Sequence, residues 1–341
     1  MNLFEGLYYI GYSIKKNFAL KHQKRLPCRV ISIGNITVGG TGKTPAAIAL
    51  AEEAGKRGLR PAILTRGYRG KMRGPCFVSK GSKPLLSEEQ AGDEALLIAE
   101  RLKGVAVIKG ADRYEAGLFA LGSLPTELRP DIFILDDGFQ HWRLFRDKDI
   151  LLVDGSNPFG NRRLLPLGRL REPLNAIGRA GIIVITKAGS GCKGLSERRH
   201  CSGSSLIEEI RRYNEKAPLF FAEHRPMKFN TASGETLPLE WAMDKRFFGF
   251  SGIGNPESFR GTLLAAGLDL TGVVSYRDHY RYCARDLRKI IDGSNERNAD
   301  WIVTTEKDIM RLKGLDLPEN LVSLAIEFAV DKEFYNEVFK Q

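Results

Sequence analysis

From Pro27 onward the chain alternates short apolar runs with helical patterns. Arg29–Ile33, Pro61–Thr65, Val105–Ile108, Asp131–Leu135, Asp149–Val153 and Gly181–Thr186 read as buried strands. Pro45–Lys56, Asp93–Leu102 and Asp112–Leu121 read as helices between them, with Pro45 tolerated in a first turn. The Gly-, Lys- and Ser-rich stretch Gly67–Ser87 predicts a long loop or a small hairpin. A polar stretch with four glycines, Ala188–Ser204, marks a candidate boundary. Beyond it, Leu219–Glu223, Arg246–Phe250, Gly272–Ser275, Trp301–Thr304 and Leu321–Ile326 are strand candidates, with helices at Pro256–Ala266, Ala284–Asn295 and Lys332–Phe339. This alternation predicts an α/β fold, a parallel sheet covered by helices on both faces, followed by a smaller C-terminal α/β unit. The expected division is 1–26, 27–204 and 205–341. Strand order does not follow from the pattern.

Residues 3–18 stand apart. On a helix, Leu3, Leu7, Ile10, Ile14 and Phe18 fall within an arc of roughly 80°. Glu5, Tyr12 and Lys16 lie opposite, and Lys15, Lys21, Lys24 and Arg25 crowd the end. Two readings stand: an amphipathic helix lying on a membrane, with Tyr8, Tyr9 and Tyr12 at the headgroup boundary, or a stripe packed on the protein's own core.

Composition is ordinary for a globular chain, 43% hydrophobic and 27% charged over 341 residues. The formal charge of +11 favours an anionic partner: nucleic acid, an anionic membrane or a phosphorylated substrate. The odd number of cysteines, irregularly spaced, fits neither a disulfide framework nor a zinc site and suits a reducing compartment. No run of about 18 apolar residues could cross a bilayer, and the N-terminus lacks the order of a signal peptide. A cytoplasmic location is expected.

The chemistry concentrates in Val30–Thr44, VISIGNITVGGTGKT. Between a β-branched strand and a helix, Thr37, Val38, Gly39, Gly40, Thr41, Gly42, Lys43 and Thr44 form a phosphate-binding loop, although the template opens with Gly rather than Thr. Such a loop turns backbone amides toward phosphate oxygens, brings Lys43 to the β/γ-phosphates and offers the Thr44 hydroxyl to Mg²⁺. Asp131–His141, DIFILDDGFQH, has the form of an apolar strand ending in metal-shell carboxylates, Asp136 and Asp137. Adjacent side chains on a strand point apart, so one is expected at the metal and the other at a nearby site. Asp93 in Gly92-Asp93-Glu94 reads locally as a first-turn helix acid, and a lone His279 in Asp278-His279-Tyr280 reads as structural. Arg66, Arg69, Lys71 and Arg73 follow the second strand, where ligands gather in α/β sheets. Arg113, Arg162, Arg163, Arg169 and Arg171 add cations suited to an anionic substrate.

In order, GNITVGGTGKTP (34–45), LTRGYRG (64–70), GDE (92–94), DDGFQH (136–141), LLPLGRLREP (164–173) and TEKD (305–308) resemble the tetraacyldisaccharide 4'-kinase (lipid A 4'-kinase) family. The opening Thr of the loop is itself a feature of that family. The resemblance implies transfer of the ATP γ-phosphate to the 4'-hydroxyl of a tetraacylated glucosamine disaccharide 1-phosphate, with Mg²⁺. It implies a monotopic enzyme on the cytoplasmic face of a Gram-negative inner membrane, which favours the membrane reading of the first helix. It also makes Asp93 the acceptor of the hydroxyl proton and His279 the residue that orients and tunes it, and it sets Arg113, Gln140 and His141 on the substrate side. No nucleic-acid or protein partner is implied.

The competing readings are a P-loop GTPase or metallochaperone-like ATPase switch, and a nucleic-acid ATPase. Thr186-Lys187-Ala188-Gly189 sits where a guanine-reading motif would fall but lacks its Asp. No nucleic-acid module is recognisable.

Overall fold

The computed structural model describes residues 2–187 and 204–340. The candidate boundary at Ala188–Ser204 therefore lies, but for Ser204, outside the described residues. The chain opens with helix α1 (Leu3–Lys21), capped by Asn2 and Glu5 in a reciprocal box. Strands β1 (Arg29–Gly34), β2 (Pro61–Thr65), β3 (Cys76–Lys80), β4 (Ala106–Lys109), β5 (Ile132–Asp136), β6 (Lys148–Asp154) and β7 (Ile182–Thr186) follow, interleaved with α2 (Lys43–Lys56), α3 (Glu88–Ala91), α4 (Asp93–Arg101) and α5 (Arg113–Ser123). After α6 (Ser204–Tyr213) come β8 (Leu219–Thr231), β9 (Thr236–Leu237), β10 (Arg246–Ser251), α7 (Pro256–Ala265), β11 (Asp269–Ser275), α8 (Ala284–Glu296), β12 (Trp301–Thr305), α9 (Glu306–Leu312), β13 (Leu321–Val330) and α10 (Lys332–Phe339).

These strands form a single 13-stranded sheet in the order β11-β10-β12-β13-β8-β7-β6-β1-β5-β2-β4-β3, with β9 paired to β8. Pairing is parallel except where β3 meets β4, β8 meets β13 and β9 meets β8. Burial on both faces explains the near-continuous apolar strands. Ile31, Ile33, Ile132 and Ile134 pack on one face with Ala47, Leu50 and Ala51 of α2 and Ala95 and Ile98 of α4. Val30, Phe133 and Leu135 face the other way, onto Ala116 and Ala120 of α5.

Two departures from the sequence pattern matter. The supposed loop Gly67–Ser87 contains β3, an antiparallel edge strand on β4 and not a hairpin. Strand β8 runs eight residues past Glu223 and joins the two halves of the sheet, parallel to β7 and antiparallel to β13. Its second half is polar and contains Pro226, which sits at a register shift opposite Ile326. Proline is accommodated in a sheet at such irregularities. On α1 the apolar stripe points outward: Leu3 is 73% exposed, and Leu7, Ile10, Ile14 and Phe18 are exposed too. The stripe therefore does not pack on the core. Tyr8 and Tyr12 do face the protein, donating to the Arg171 carbonyl (2.9 Å) and Glu172 Oε2 (3.0 Å), so these two are not at a headgroup boundary.

Candidate active site

The loop after β1 is built for close approach of an anion. Gly39 (φ 127°) and Gly42 (φ 86°) hold left-handed backbone that side-chain-bearing residues resist. A Cβ on Gly42 would also lie 2.0 Å from His224 Nε2 on β8. Thr37 needs no such freedom, because it makes an antiparallel bridge with Leu170. That pairing gives the non-glycine opening a physical reason. The segment around Leu170 straps the loop: Val38 N–H donates to the Arg169 carbonyl (2.7 Å), Arg169 Nη2 to the Val38 carbonyl (2.8 Å) and Arg171 N–H to the Ile36 carbonyl (2.7 Å). From β7, Lys187 Nζ reaches the Gly40 carbonyl (2.7 Å) and Thr186 Oγ1 the Thr41 carbonyl (3.3 Å). Lys43 Nζ lies 3.4 Å from Asn35 Oδ1 and 3.9 Å from Asp137 Oδ1, and Thr44 is buried in the first turn of α2.

The two carboxylates are separated because β5 ends at Asp136 and Asp137 turns into left-handed backbone (φ 51°). Asp136 is buried, with Oδ2 3.4 Å from Thr65 Oγ1 and Oδ1 without a hydrogen-bond partner. Burial, with the charges of Glu94 and Asp137 beside it, pushes its carboxyl up to about 7. Asp137 is instead gripped by Arg171 Nη1 (2.8 and 3.0 Å); burial works against its charge, but Lys43 and Arg171 prevail and hold it down to about 2. A divalent cation would satisfy the orphaned Asp136 oxygen, so the donor set fits Mg²⁺ at Asp136.

Asp93 begins α4, and its Oδ1 accepts from the Glu94 N–H (2.8 Å). The first-turn reading is thus correct as far as it goes. Its Oδ2 receives His279 Nδ1 (2.9 Å), Arg311 Nε (2.7 Å) and a short contact from Arg311 Nη2. Burial opposes the charge on Asp93, but the His279 hydrogen bond and the Arg311 cation outweigh it and set the carboxyl well below the usual range. His279 also takes left-handed backbone (φ 56°), and its carbonyl accepts from Arg69 Nη1 (2.7 Å). Arg69 belongs to the loop after β2, so that loop and α4 grip the same residue.

The other sequence candidates are placed less directly. Arg113 is buried and donates to the Gly110 and Ala111 carbonyls (3.1 and 3.0 Å). Burial lowers its guanidinium to about 10. His141 Nε2 accepts the Arg113 backbone N–H (3.2 Å), and burial with the Arg113 charge lowers it to about 3. Gln140 donates to the Asn35 carbonyl and to Glu172 Oε1 (both 2.7 Å). Several arginines have protein partners: Arg162 with Glu209, Arg163 with Glu5 and Arg171 with Asp137.

The family model for tetraacyldisaccharide-1-P 4'-kinase matches residues 1–341. The chain belongs to this family. It is 38% identical to the tetraacyldisaccharide 4'-kinase of Syntrophus aciditrophicus, over all of this chain and 92% of that one. It is 34% identical to that of Halothermothrix orenii, over 97% and 88%. A crystal structure of the Aquifex aeolicus kinase, described as its apo form in complex with ATP, superposes with a TM-score of 0.76 at 30% identity, covering 99% of this chain and 96% of that one. The GTPase-switch alternative is not favoured.

Tetraacyldisaccharide 4'-kinase motifs that are far apart in sequence meet at one seam. Asp93–Arg311, Glu94–Lys307, Glu100–Lys313 and Arg101–Glu306 pair α4 with α9 and the residue after it. Arg311 was not legible as a site residue: its spacing from Asp308 signals a helix turn and nothing more.

The low Asp93 carboxyl carries a stability signature. A depressed folded-state value contributes stability above the unfolded value, about 3.9, that is lost as pH falls through the folded value. Asp93→Asn, which leaves buried Arg311 short of a charge, should cost roughly 3–5 kcal/mol. That deficit should stay constant between about pH 6 and 8 and narrow only below about pH 4. Denaturant melts across this range check it.

Proposed function

We propose that these residues carry out ATP-dependent phosphorylation of the 4'-hydroxyl of a tetraacylated glucosamine disaccharide 1-phosphate, in lipid A biosynthesis. The observation that carries the reading is the pairing of Asp93 with His279, far apart in sequence, in a chain that also builds a phosphate-binding loop. In this scheme loop residues 37–44 and Lys43 hold the ATP phosphates, and Asp136 with Thr44 would hold Mg²⁺. The metal ion, when bound, neutralises charge on the phosphates. The 4'-oxygen attacks the γ-phosphorus, the bond from phosphorus to the β,γ-bridging oxygen breaks, and ADP departs with that electron pair. The hydroxyl proton passes to Asp93, whose Oδ1 carries a lone pair beyond the Glu94 bond. A carboxylate held this low accepts a proton late, after bonding to phosphorus has made the oxygen acidic. This suits a loose transition state, in which positioning outweighs base strength. His279 and Arg311 fix the direction of the carboxylate. In this scheme the two halves of the sheet, joined through β8 and β13, close on the substrate, with Arg69 and His279 at the lips.

The exposed stripe of α1 supports peripheral contact with an anionic membrane, on the cytoplasmic face of a Gram-negative inner membrane. No helix among the described residues is long and apolar enough to cross a bilayer. Fully burying each such side chain is worth about 1.5–3 kcal/mol, against about 1 kcal/mol per surface Lys or Arg near anionic lipid. The apolar face should therefore dominate binding.

Asp93→Ala and His279→Ala should each lower turnover by roughly 100-fold with ATP affinity little changed; steady-state assay in mixed micelles checks this, and unchanged turnover in either variant rejects the pair. Wild-type protein should co-float with phosphatidylglycerol vesicles while a Leu7→Glu/Ile14→Glu variant stays behind at an unaltered melting temperature. Equal flotation of the two would remove α1 as the anchor.

A further inference from the structure

Lys307 lies in the first turn of α9, directly after β12, and its ammonium donates to Glu94 Oε1. The pair is only partly shielded, each side chain being a little over a quarter exposed. Neither residue has a part in the scheme above. Their position is nonetheless the meeting point of the phosphate loop and the proposed base. Glu94 follows Asp93 in the chain, in the first turn of α4. Beside Lys307, Glu306 Oε2 accepts from the Ile326 N–H of β13 (3.4 Å), and Ile326 lies opposite Pro226 of β8. Two residues earlier on β8 is His224, whose Nε2 abuts Gly42 of the phosphate loop and is buried without a hydrogen-bond partner. Lys307 thus lies between the proposed base, through Glu94, and the phosphate loop, a region in which two buried polar atoms, Asp136 Oδ1 and His224 Nε2, lack protein partners.

The β-phosphate of a bound nucleotide is served by the loop itself: backbone amides, Lys43 and Thr44, all from the first half of the chain. The γ-phosphate carries more charge and gains further charge on its equatorial oxygens during transfer. Lys307 is a cation that the second half of the sheet brings to this region, on a helix bolted to α4 by ion pairs on either side of it. Glu94 would hold the ammonium ready while no phosphate is there. An ammonium on a flexible stem exchanges one anionic partner for another without any change in its own charge.

From this arrangement we propose that Lys307 is a catalytic residue that leaves Glu94 to bind the γ-phosphate of the nucleotide, supplying in cis a second cation opposite Lys43. The proposal rests on the phosphate-site reading above, and its test separates the two. Wild-type protein is acetylated with N-acetoxysuccinimide, with Mg²⁺ and either β,γ-methylene ATP or ADP, and the lysines are followed by peptide mass spectrometry. Lys43 should be protected by both nucleotides. Lys307 should be slowed about tenfold by the triphosphate and left near its free rate by ADP, as one charge-assisted contact made only to the γ-phosphate requires. Equal protection of Lys307 by both nucleotides, or none by either while Lys43 is protected, overturns the proposal alone. An unprotected Lys43 overturns the site reading and this proposal with it.

Substitution supplies the second arm. Lys307→Met should lose about tenfold in affinity for the ATP analogue with ADP affinity unchanged, and roughly 100-fold in turnover. Lys307→Arg should recover part of both. A merely structural lysine would weaken ATP and ADP alike, and that outcome, or near-normal turnover of Lys307→Met, contradicts the assignment.

Discussion

The buried ion pair between Asp93 and Arg311 is the contact on which the rest of the site depends. Asp93 opens α4, which follows β3 and α3, and Arg311 lies in the last turn of a helix more than 200 residues later. Both are almost fully shielded from water, so neither charge is tolerable without the other. Arg311 spends its remaining donor on the Gly252 carbonyl (2.7 Å) and Asp308 (2.9 Å), and Asp308 in turn accepts from Tyr282 and the Gly252 N–H. His279 adds its own bond to Asp93. One guanidinium thereby ties the turn after β10, the loop after β11 and the helix after β12 to the first half of the sheet. Buried ion pairs seldom add net stability over apolar packing. Here the pair supplies position, because it aims a carboxylate that would otherwise swing free.

Two of the strained residues bear on the site. Asp137 and His279 both hold left-handed backbone, which costs a side-chain-bearing residue on the order of 1–3 kcal/mol. At Asp137 the twist divides two neighbouring carboxylates between a buried, partnerless position and the Arg171 grip. At His279 it turns the ring toward Asp93 while the carbonyl meets Arg69. The strap at Arg169–Arg171, clamped to the phosphate loop by backbone bonds, and the α4–α9 seam are the surroundings that hold these conformations.

The repeating elements and the phosphate loop were legible in the sequence because their signals are local. Apolar runs such as Ile132–Leu135 declare buried strands, and GTGKT declares its turn by glycine position. The separation of Asp136 from Asp137 was expected from strand alternation, but its cause is the end of β5 and the left-handed turn at Asp137. What escaped has a long-range cause. The polar half of β8, with Pro226 inside it, is a strand because β13 pairs with it. Arg311 is a site residue because α9 lies against α4. Tyr8 and Tyr12 turn inward because Arg171 and Glu172 wait for them. His141, set on the substrate side by the family resemblance, has one ring nitrogen occupied by the Arg113 N–H. No window of sequence contains such partners.

The most direct test of the account is turnover of a folded Arg311→Met variant alongside its ATP affinity. If the guanidinium positions Asp93 across the seam, label transfer from [γ-³²P]ATP to the lipid disaccharide 1-phosphate should fall by roughly 100-fold while ATP binding stays near that of the wild type. Full turnover with Arg311 removed would contradict the central role of the pair.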